Sequence, residues 1–327
     1  MTTTVLPFSI WTVQGPEADL LAKAELPHLR AWLAQSQRTQ VVADPEPTQG
    51  RLATYTPPHE RMLAQARGWA LPDGCLPWAA AAAVAQGHDV NAAWAFITLC
   101  NWHVSNGQVT LGDPAHLRID ANTDRALLEA MRGFFAEDGI ALHPYREGVW
   151  LAQSPVFANL PTASLDRVIG RNIDPWLVEH SVLRRLQNEM QMLLYTHAVN
   201  EGRALSINSF WVHGAGALPT TTNAATTTTT TTATTAPNTC HVPDASCVAA
   251  LRTTALQHDL VGWLEAWQAV DVQIIQPLLH HALPHTQLVL CGDHVAHVYT
   301  AGAPSVWQRL MRLFKTTPMN QVIGERP

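Results

Sequence analysis

The sequence predicts an α/β protein with a mainly parallel β-sheet, helices on both faces of that sheet, and a smaller inserted α+β domain. Apolar residues make up 47% of the 327 residues, which is enough for a large hydrophobic core. Strand-like segments alternate with helical segments over most of the chain, as is typical of parallel sheets. Between residues 91 and 159 the order becomes β-β-α-β-β, which indicates a separate unit.

The predicted main domain comprises residues 1–90 and 160–327. Short apolar segments predict strands at 5–13 and 287–291. Apolar side chains at helical spacing predict helices over residues 26–34, 62–69, 75–85, 183–197, 256–270 and 305–315. The Pro-rich segment 39–58 is expected to be a loop. The Thr-rich tract 220–239 is expected to be a flexible loop, because it lacks large apolar side chains.

The predicted inserted domain begins with a strand at 95–104, where β-branched and aromatic residues are frequent. Asn106-Gly107 supplies the residue pair that a tight hairpin turn favours, so residues 108–111 are expected to return as the partner strand. The elements that complete the domain are a helix at 124–135 and two strands at 140–143 and 149–152.

Composition excludes several classes of function. Charged residues are sparse at 14%, the net charge is −6, and no Lys/Arg-rich run is present, so no nucleic-acid partner is expected. No apolar stretch of about 18 residues and no signal peptide are found, so no membrane segment is expected. Five cysteines without a CxxC pair indicate free thiols in a reducing compartment. We therefore expect the protein in the cytoplasm.

Three segments carry the most specific patterns in the chain. They are AFITLCNW from residue 95, NEMQMLLYTHAVNEGR at 188–203, and NSFWVHGAGALP at 208–219. In this order and at this separation they resemble the archaeal-type cofactor-independent phosphoglycerate mutases of the alkaline-phosphatase superfamily. The last two segments also resemble a bacterial branch of that family, the RpfE-type regulatory proteins.

The resemblance implies an alkaline-phosphatase-like core with the inserted domain over its active-site cleft. It also implies a small phosphorylated acid as the ligand. The positions that match the family's motifs, or lie within them, are the candidate ligand-binding residues: His197, Asn200, Arg203, Asn208, Trp211 and His213. The alternative interpretation of the first three is ordinary helix capping and packing.

Several positions depart from the family's catalytic pattern. Mutases of this superfamily use a Ser or Thr nucleophile and two divalent metals held by Asp and His. Gln14-Gly15 stands where an Asp-Gly pair is expected, and residues 55–70 contain no Ser-Asp or Thr-Asp pair. Leu99 stands where the family has an arginine. These departures predict lost or weakened catalysis.

One metal-like pattern remains near the C-terminus. Gly292-Asp293-His294 resembles a family segment that supplies Asp and His ligands, and His297 follows three residues later. One interpretation is a residual site for Mn²⁺ or Zn²⁺ formed by Asp293, His294 and His297. The other is a polar strand end, since a two-metal site needs more ligands than these.

Three functions are consistent with these patterns. The first is a catalytically degenerate mutase relative that acts as a regulatory or phospho-ligand-binding protein. The second is an active metal-dependent phosphotransferase with rearranged ligands. The third is a structural module that binds a protein partner. No catalytic residue is assigned.

Overall fold

A computed structural model describes residues 2–13, 17–44, 54–105, 107–219, 239–281, 286–302 and 318–325. Predictions for Gln14, Gly15, the Thr-rich tract through residue 238 and the helix at 305–315 lie outside these ranges. The described residues group into two compact units. Unit 1 contains residues 2–44, 57–68 and those from 239 onward, and unit 2 contains residues 54–56 and 69–219.

Unit 1 is built on a five-stranded sheet. The strands of unit 1 are β1 (Thr2–Leu6), β2 (Trp11–Thr12), β3 (Ser36–Ala43), β10 (Thr239–His241), β11 (Gln287–Cys291), β12 (Val295–Ala301) and β13 (Gly324–Glu325). Its helices are α1 (Glu17–Ala22), α2 (Pro27–Gln35), α3 (Pro58–Ala66), α8 (Ser246–Leu256), α9 (Leu260–Val270) and α10 (Gln276–His281). The main sheet has the order β10-β1-β11-β12-β3, and β2 pairs separately with β13.

Helices cover both faces of this sheet. Along β1, Leu6 packs with Trp32 and Trp263 from α2 and α9, whereas Val5 packs with Met62 of α3 on the other face. Successive strand residues point to opposite faces, so one strand contributes to both core clusters. The predicted α/β class is confirmed.

The sheet is mixed, which corrects the prediction of a mainly parallel one. Strands β10, β1 and β11 run parallel, but β12 is antiparallel to β11 and β3 is antiparallel to β12. Residues 39–43, which were expected to begin a loop, instead belong to strand β3. This strand lies at the sheet edge, and its exposed residues 37–41 give no apolar pattern from which a strand could be predicted.

Unit 2 is built on a four-stranded antiparallel sheet. The strands of unit 2 are β4 (Ala93–Cys100), β5 (Trp102–Ser105), β6 (Gln108–Leu111), β7 (Ala141–Arg146), β8 (Val149–Gln153) and β9 (Ser209–Ala217). Its helices are α4 (Trp78–Ala85), α5 (Ala121–Glu137), α6 (Leu165–Val168) and α7 (Ser181–Tyr195). The sheet order is β7-β8-β4-β9, and β5 and β6 form a separate hairpin.

The unit 2 core extends beyond the predicted inserted domain of residues 91–159. Phe135 of α5, Leu186 of α7 and Phe210 of β9 belong to one buried cluster, which lies against the β4 side chains Ile97 and Leu99. Strand β9 comes from the NSFWVHGAGALP segment and completes the sheet beside β4. The observed strand–helix order follows the β-β-α-β-β prediction, except that the first predicted strand breaks at Asn101 into β4 and β5.

Candidate functional site

Unit 2 contains a cleft of about 750 Å³ between helix α7 and the β5–β6 hairpin. The hairpin contributes the apolar side chains of Trp102, Val104 and Val109. Helix α7 contributes Arg184, Gln187, Asn188, Gln191, Leu194 and Tyr195. A volume of this size is within the range of about 300–1,000 Å³ that small-molecule sites occupy.

The polar wall of the cleft is one face of α7. Arg184, Gln187, Asn188 and Gln191 are spaced by three or four residues, so their side chains lie above one another on the helix. Arg184 is exposed, and within the described ranges its guanidinium forms no ion pair. The described residues that line the cleft include no Asp or Glu, so the wall carries one positive charge.

Sequence reasoning missed this site, although a signal was present. The prediction for this helix used its apolar stripe, which packs in the core, and did not consider the polar side chains beside it. Those side chains include three carboxamides within five residues, 187–191. Solvated helix faces usually carry charged residues, so a row of neutral amides on this face was the signal that could have indicated a binding site.

Two predicted ligand-binding residues, Asn200 and Asn208, also line the cleft, but both use their amides to hold the backbone. Asn200 donates through Nδ2 to the carbonyls of Leu194 at 2.9 Å and Ile207 at 2.8 Å, and its Oδ1 accepts from the Ile207 amide at 2.8 Å. Asn208 makes two such bonds with Trp102. A ligand role for either amide stays a prediction.

Arg203 and His197 do not line the cleft. The Arg203 guanidinium donates to the Val199 carbonyl at 2.9 Å, the Leu117 carbonyl at 2.7 Å and the Thr123 hydroxyl at 3.3 Å. His197 accepts a bond from the Val199 amide through Nδ1 at 3.2 Å, where it caps a short 3₁₀ turn. These contacts favour the capping interpretation of both residues.

Trp211 and His213 lie on β9, also away from the cleft lining. The Trp211 indole is buried and donates to the Ala163 carbonyl at 2.9 Å. His213 Nε2 is 2.9 Å from the Thr98 hydroxyl, and its ring lies 5.2 Å from that of Phe96. Burial lowers the pKa of His213 to about 3, and the positive charge of Arg146 adds to this shift. The imidazole is therefore neutral at physiological pH.

The predicted metal-binding residues lie in unit 1, at the end of β11 and on β12. His294 has a carboxylate on each side: Nδ1 is 2.9 Å from Asp44, and Nε2 is 3.3 Å from Asp293. Asp44 is also paired with Arg61 of α3. Both nitrogens of this imidazole thus lie within 3.3 Å of a carboxylate oxygen.

His297 does not join this group. It lies within β12 beside Tyr299, with a ring separation of 6.4 Å, and burial lowers its pKa. Across the described ranges, no three His, Cys, Asp or Glu side chains are arranged so that they could hold a metal ion. The described residues do not fit the predicted Mn²⁺ or Zn²⁺ site, which stays a prediction.

Glu325 is a half-buried acid beside Asp293 that sequence reasoning missed. Its Oε1 accepts from the Asp293 amide and from the Thr12 hydroxyl, both at 3.0 Å. Burial raises the pKa of Glu325, and the two hydrogen bonds oppose that shift. Asp293 is 32 positions from Glu325 in the chain and Thr12 is 313 positions from it, so these contacts could not be predicted from the sequence.

Comparisons with known proteins give a distant structural similarity. Neither a protein-family model nor a curated protein sequence matches the chain. Among solved structures, the chain is similar to the cofactor-independent phosphoglycerate mutase from Thermoplasma acidophilum DSM 1728. The identity is 14%, the match covers 93% of this chain and 90% of that one, and the TM-score is 0.35. A likeness this distant leaves the function to be inferred from the chain's own residues.

No helix in the described ranges is both long enough and apolar enough to cross a bilayer.

Proposed function

We propose that the protein is a diverged, mutase-like binding protein that holds a small phosphorylated acid in the unit 2 cleft without converting it. The observation that carries this proposal is the polar face of α7, where three carboxamides and a guanidinium with no ion pair among the described residues line a cleft of about 750 Å³. We further propose a regulatory role of the RpfE type and an alkaline-phosphatase-like arrangement, both supported by the sequence motifs alone. A cytoplasmic location is proposed from the cysteine pattern.

An anionic ligand is favoured by the charges of the cleft. Arg184 is the charged residue among the described lining residues, and no carboxylate neutralises it there. A guanidinium can bind a phosphate or carboxylate through two parallel hydrogen bonds. The neutral amides of Asn188 and Gln191 can donate to the remaining oxygens without adding charge.

Binding without conversion is favoured by the side chains that are present. General acid–base catalysis uses groups such as His, Asp, Glu, Lys, Cys or Tyr. Of these residue types, the described lining includes Tyr195, which is 88% exposed. In unit 1, the predicted ligand His294 already pairs with Asp44 and Asp293.

The binding proposal is tested by calorimetric titration with glycerol 3-phosphate, and with 3-phosphoglycerate in parallel. Arg184→Ala is expected to weaken binding at least tenfold, because it removes the charge-assisted hydrogen bonds. Arg185→Ala is a matched control, since the neighbouring Arg185 pairs with Asp138 and Glu189 instead of lining the cleft. Equal affinity of the wild type and Arg184→Ala for both probes would refute the proposed site.

The absence of conversion needs a separate measurement. The purified protein is incubated with Mn²⁺ and 3-phosphoglycerate, and both the isomer and free phosphate are followed with time. No enzyme-dependent product is expected. Clear Mn²⁺-dependent turnover would show that the chain is an active phosphotransferase, and would leave the binding result to be reinterpreted as substrate binding.

A further inference from the structure

Gln187 differs from Asn188 and Gln191, the other carboxamides on the α7 face of the cleft, because its amide has a fixed orientation. The residue is 4% exposed and lines the cleft. Its Nε2 lies 3.3 Å from the backbone carbonyl oxygen of Phe210 in β9. A carbonyl oxygen only accepts hydrogen bonds, so the amide nitrogen must face Phe210. The amide oxygen, Oε1, is left for the cleft.

The Oε1 atom of Gln187 is a directed acceptor with no internal donor. In the part of the chain that the structure describes, no N–H or O–H group donates a hydrogen bond to it. Asn188 and Gln191 have no side-chain bonds that fix them there, so their amides can rotate to offer either a donor or an acceptor. Gln187 therefore requires a hydrogen-bond donor on the ligand, whereas Asn188 and Gln191 do not.

We propose that Gln187 selects ligands with a hydroxyl group next to the phosphate, so that the preferred ligand class is a hydroxylated phosphomonoester. This inference rests on the proposed binding function. Arg184 and Gln187 are three residues apart on α7, which places their Cβ atoms about 5–6 Å apart. A phosphate at Arg184 thus brings an adjacent hydroxyl within reach of Oε1. An anionic oxygen at Oε1 would meet an acceptor and be repelled.

The expected selectivity follows from the cost of an unsatisfied buried acceptor. A ligand without a hydroxyl takes water away from Oε1 and gives no donor in return, and this costs about 1–3 kcal/mol. Sites built to bond a hydroxyl reject the analogue that lacks it for this reason. A preference of about tenfold or more corresponds to the lower half of that range.

The test compares two probes of the same charge and similar size, glycerol 3-phosphate and n-propyl phosphate, with the full-length protein by calorimetry. We expect the wild type to bind glycerol 3-phosphate about tenfold or more tightly. Gln187→Met keeps the side-chain length and removes the acceptor, so the ratio of the two dissociation constants is expected to fall toward one. Arg185→Ala is the matched control and should keep the wild-type ratio, because Arg185 pairs with Asp138 and Glu189 and does not line the cleft.

The outcomes separate this inference from the proposed function. Equal affinity for both probes in the wild type, with both still weakened by Arg184→Ala, overturns the role of Gln187 and leaves the binding function standing. Binding of neither probe by the wild type overturns the proposed function and this inference with it. If Gln187→Met does not fold, the wild-type ratio alone decides, because a ratio near one is incompatible with a directed acceptor.

Discussion

Within the described part of the chain, Asn208 makes both of its side-chain hydrogen bonds with the backbone of a single residue, Trp102. Its Oδ1 accepts from the Trp102 amide at 2.7 Å, and its Nδ2 donates to the Trp102 carbonyl at 2.9 Å. The backbone ladder between β4 and β9 ends just before this point, with Cys100 paired to Ser209. The Asn208 side chain thus continues the ladder and fixes the start of β5, which forms a wall of the cleft.

Replacing Asn208 should therefore destabilise unit 2. Asn208→Ala leaves the amide and the carbonyl of Trp102 without their partner, and we expect a loss of about 1–3 kcal/mol in the free energy of unfolding. Asn208→Asp should also destabilise, because the carboxylate can accept from the amide but faces the carbonyl with a second acceptor. Urea unfolding followed by circular dichroism measures both, with the exposed Asn188→Ala as a near-neutral control. An unchanged midpoint for Asn208→Ala would refute the bridging role.

The elements predicted correctly from the sequence are those with a regular apolar pattern along their whole length. Helix α7 was expected from apolar side chains at helical spacing, and residues such as Leu186 and Met190 are buried in the core. Strand β11 has the predicted bounds, 287–291, because its short apolar run is buried on both sides of the sheet. Helices α2 and α4 lie within the predicted ranges to within a few residues.

The same reasoning failed where contacts between distant segments decide the structure. Strand β3 is exposed over residues 37–41, and its position is set by pairing with β12, more than 250 residues away. The ligand-binding candidates Asn200 and Arg203 were chosen because they match the family's motif. Both hold backbone carbonyls in the structure, and a ligand role for them stays a prediction. A sequence shows which side chains can donate or accept hydrogen bonds, but it does not show which groups they bond to in the folded chain.

Arg203 should act on stability. Its guanidinium joins three groups, including the Leu117 carbonyl and the Thr123 hydroxyl in the first turn of α5. Arg203→Ala is expected to lower the free energy of unfolding by about 1–3 kcal/mol, with Arg203→Lys intermediate because ammonium cannot reproduce the planar fork. Arg132→Ala is the control, since its exposed pair with Glu129 should be worth less than about 1 kcal/mol.

If Arg203→Ala instead left stability unchanged and abolished binding of glycerol 3-phosphate, the residue would belong to the ligand site as the sequence motif implied. Measuring unfolding and binding on the same protein preparation distinguishes these outcomes.

Asp271 holds the start of α2 in unit 1. The residue is 1% exposed, and its carboxylate accepts from the backbone amides of His28 at 3.0 Å and Leu29 at 2.6 Å. These amides lie in the first turn, where a helix has no internal partners for them, and a negative charge is favourable there. Asp271→Ala should cost about 2–4 kcal/mol in thermal or urea unfolding.

Asp259 provides the comparison for Asp271. It caps α9 through one bond to the Gly262 amide at 3.0 Å, in an exposed position. Asp259→Ala should cost about 1 kcal/mol. A cost for Asp271→Ala no larger than that for Asp259→Ala would contradict the assignment of Asp271 as the buried anchor of α2.

His213 should make unit 2 less stable in mild acid. Burial lowers its pKa from 6.5 to about 3, so the folded state keeps the imidazole neutral where the unfolded chain binds a proton. A lowered histidine pKa gives stability that is complete above pH 6.5 and is lost as the pH falls from 6.5 toward 3. At pH 4.5, two units below 6.5, the loss from this residue is about 2–3 kcal/mol.

The variant that isolates this effect is His213→Gln, which can still hydrogen-bond to Thr98 but does not titrate. Urea unfolding at pH 7.5 and 4.5 is measured for both proteins, and the wild type should lose about 2–3 kcal/mol more than the variant. His143 and His297 also have pKa values lowered by burial, so the variant should keep part of the acid sensitivity. Equal losses in the two proteins would show that His213 titrates normally in the folded state, and that the β9 strand admits its charged form.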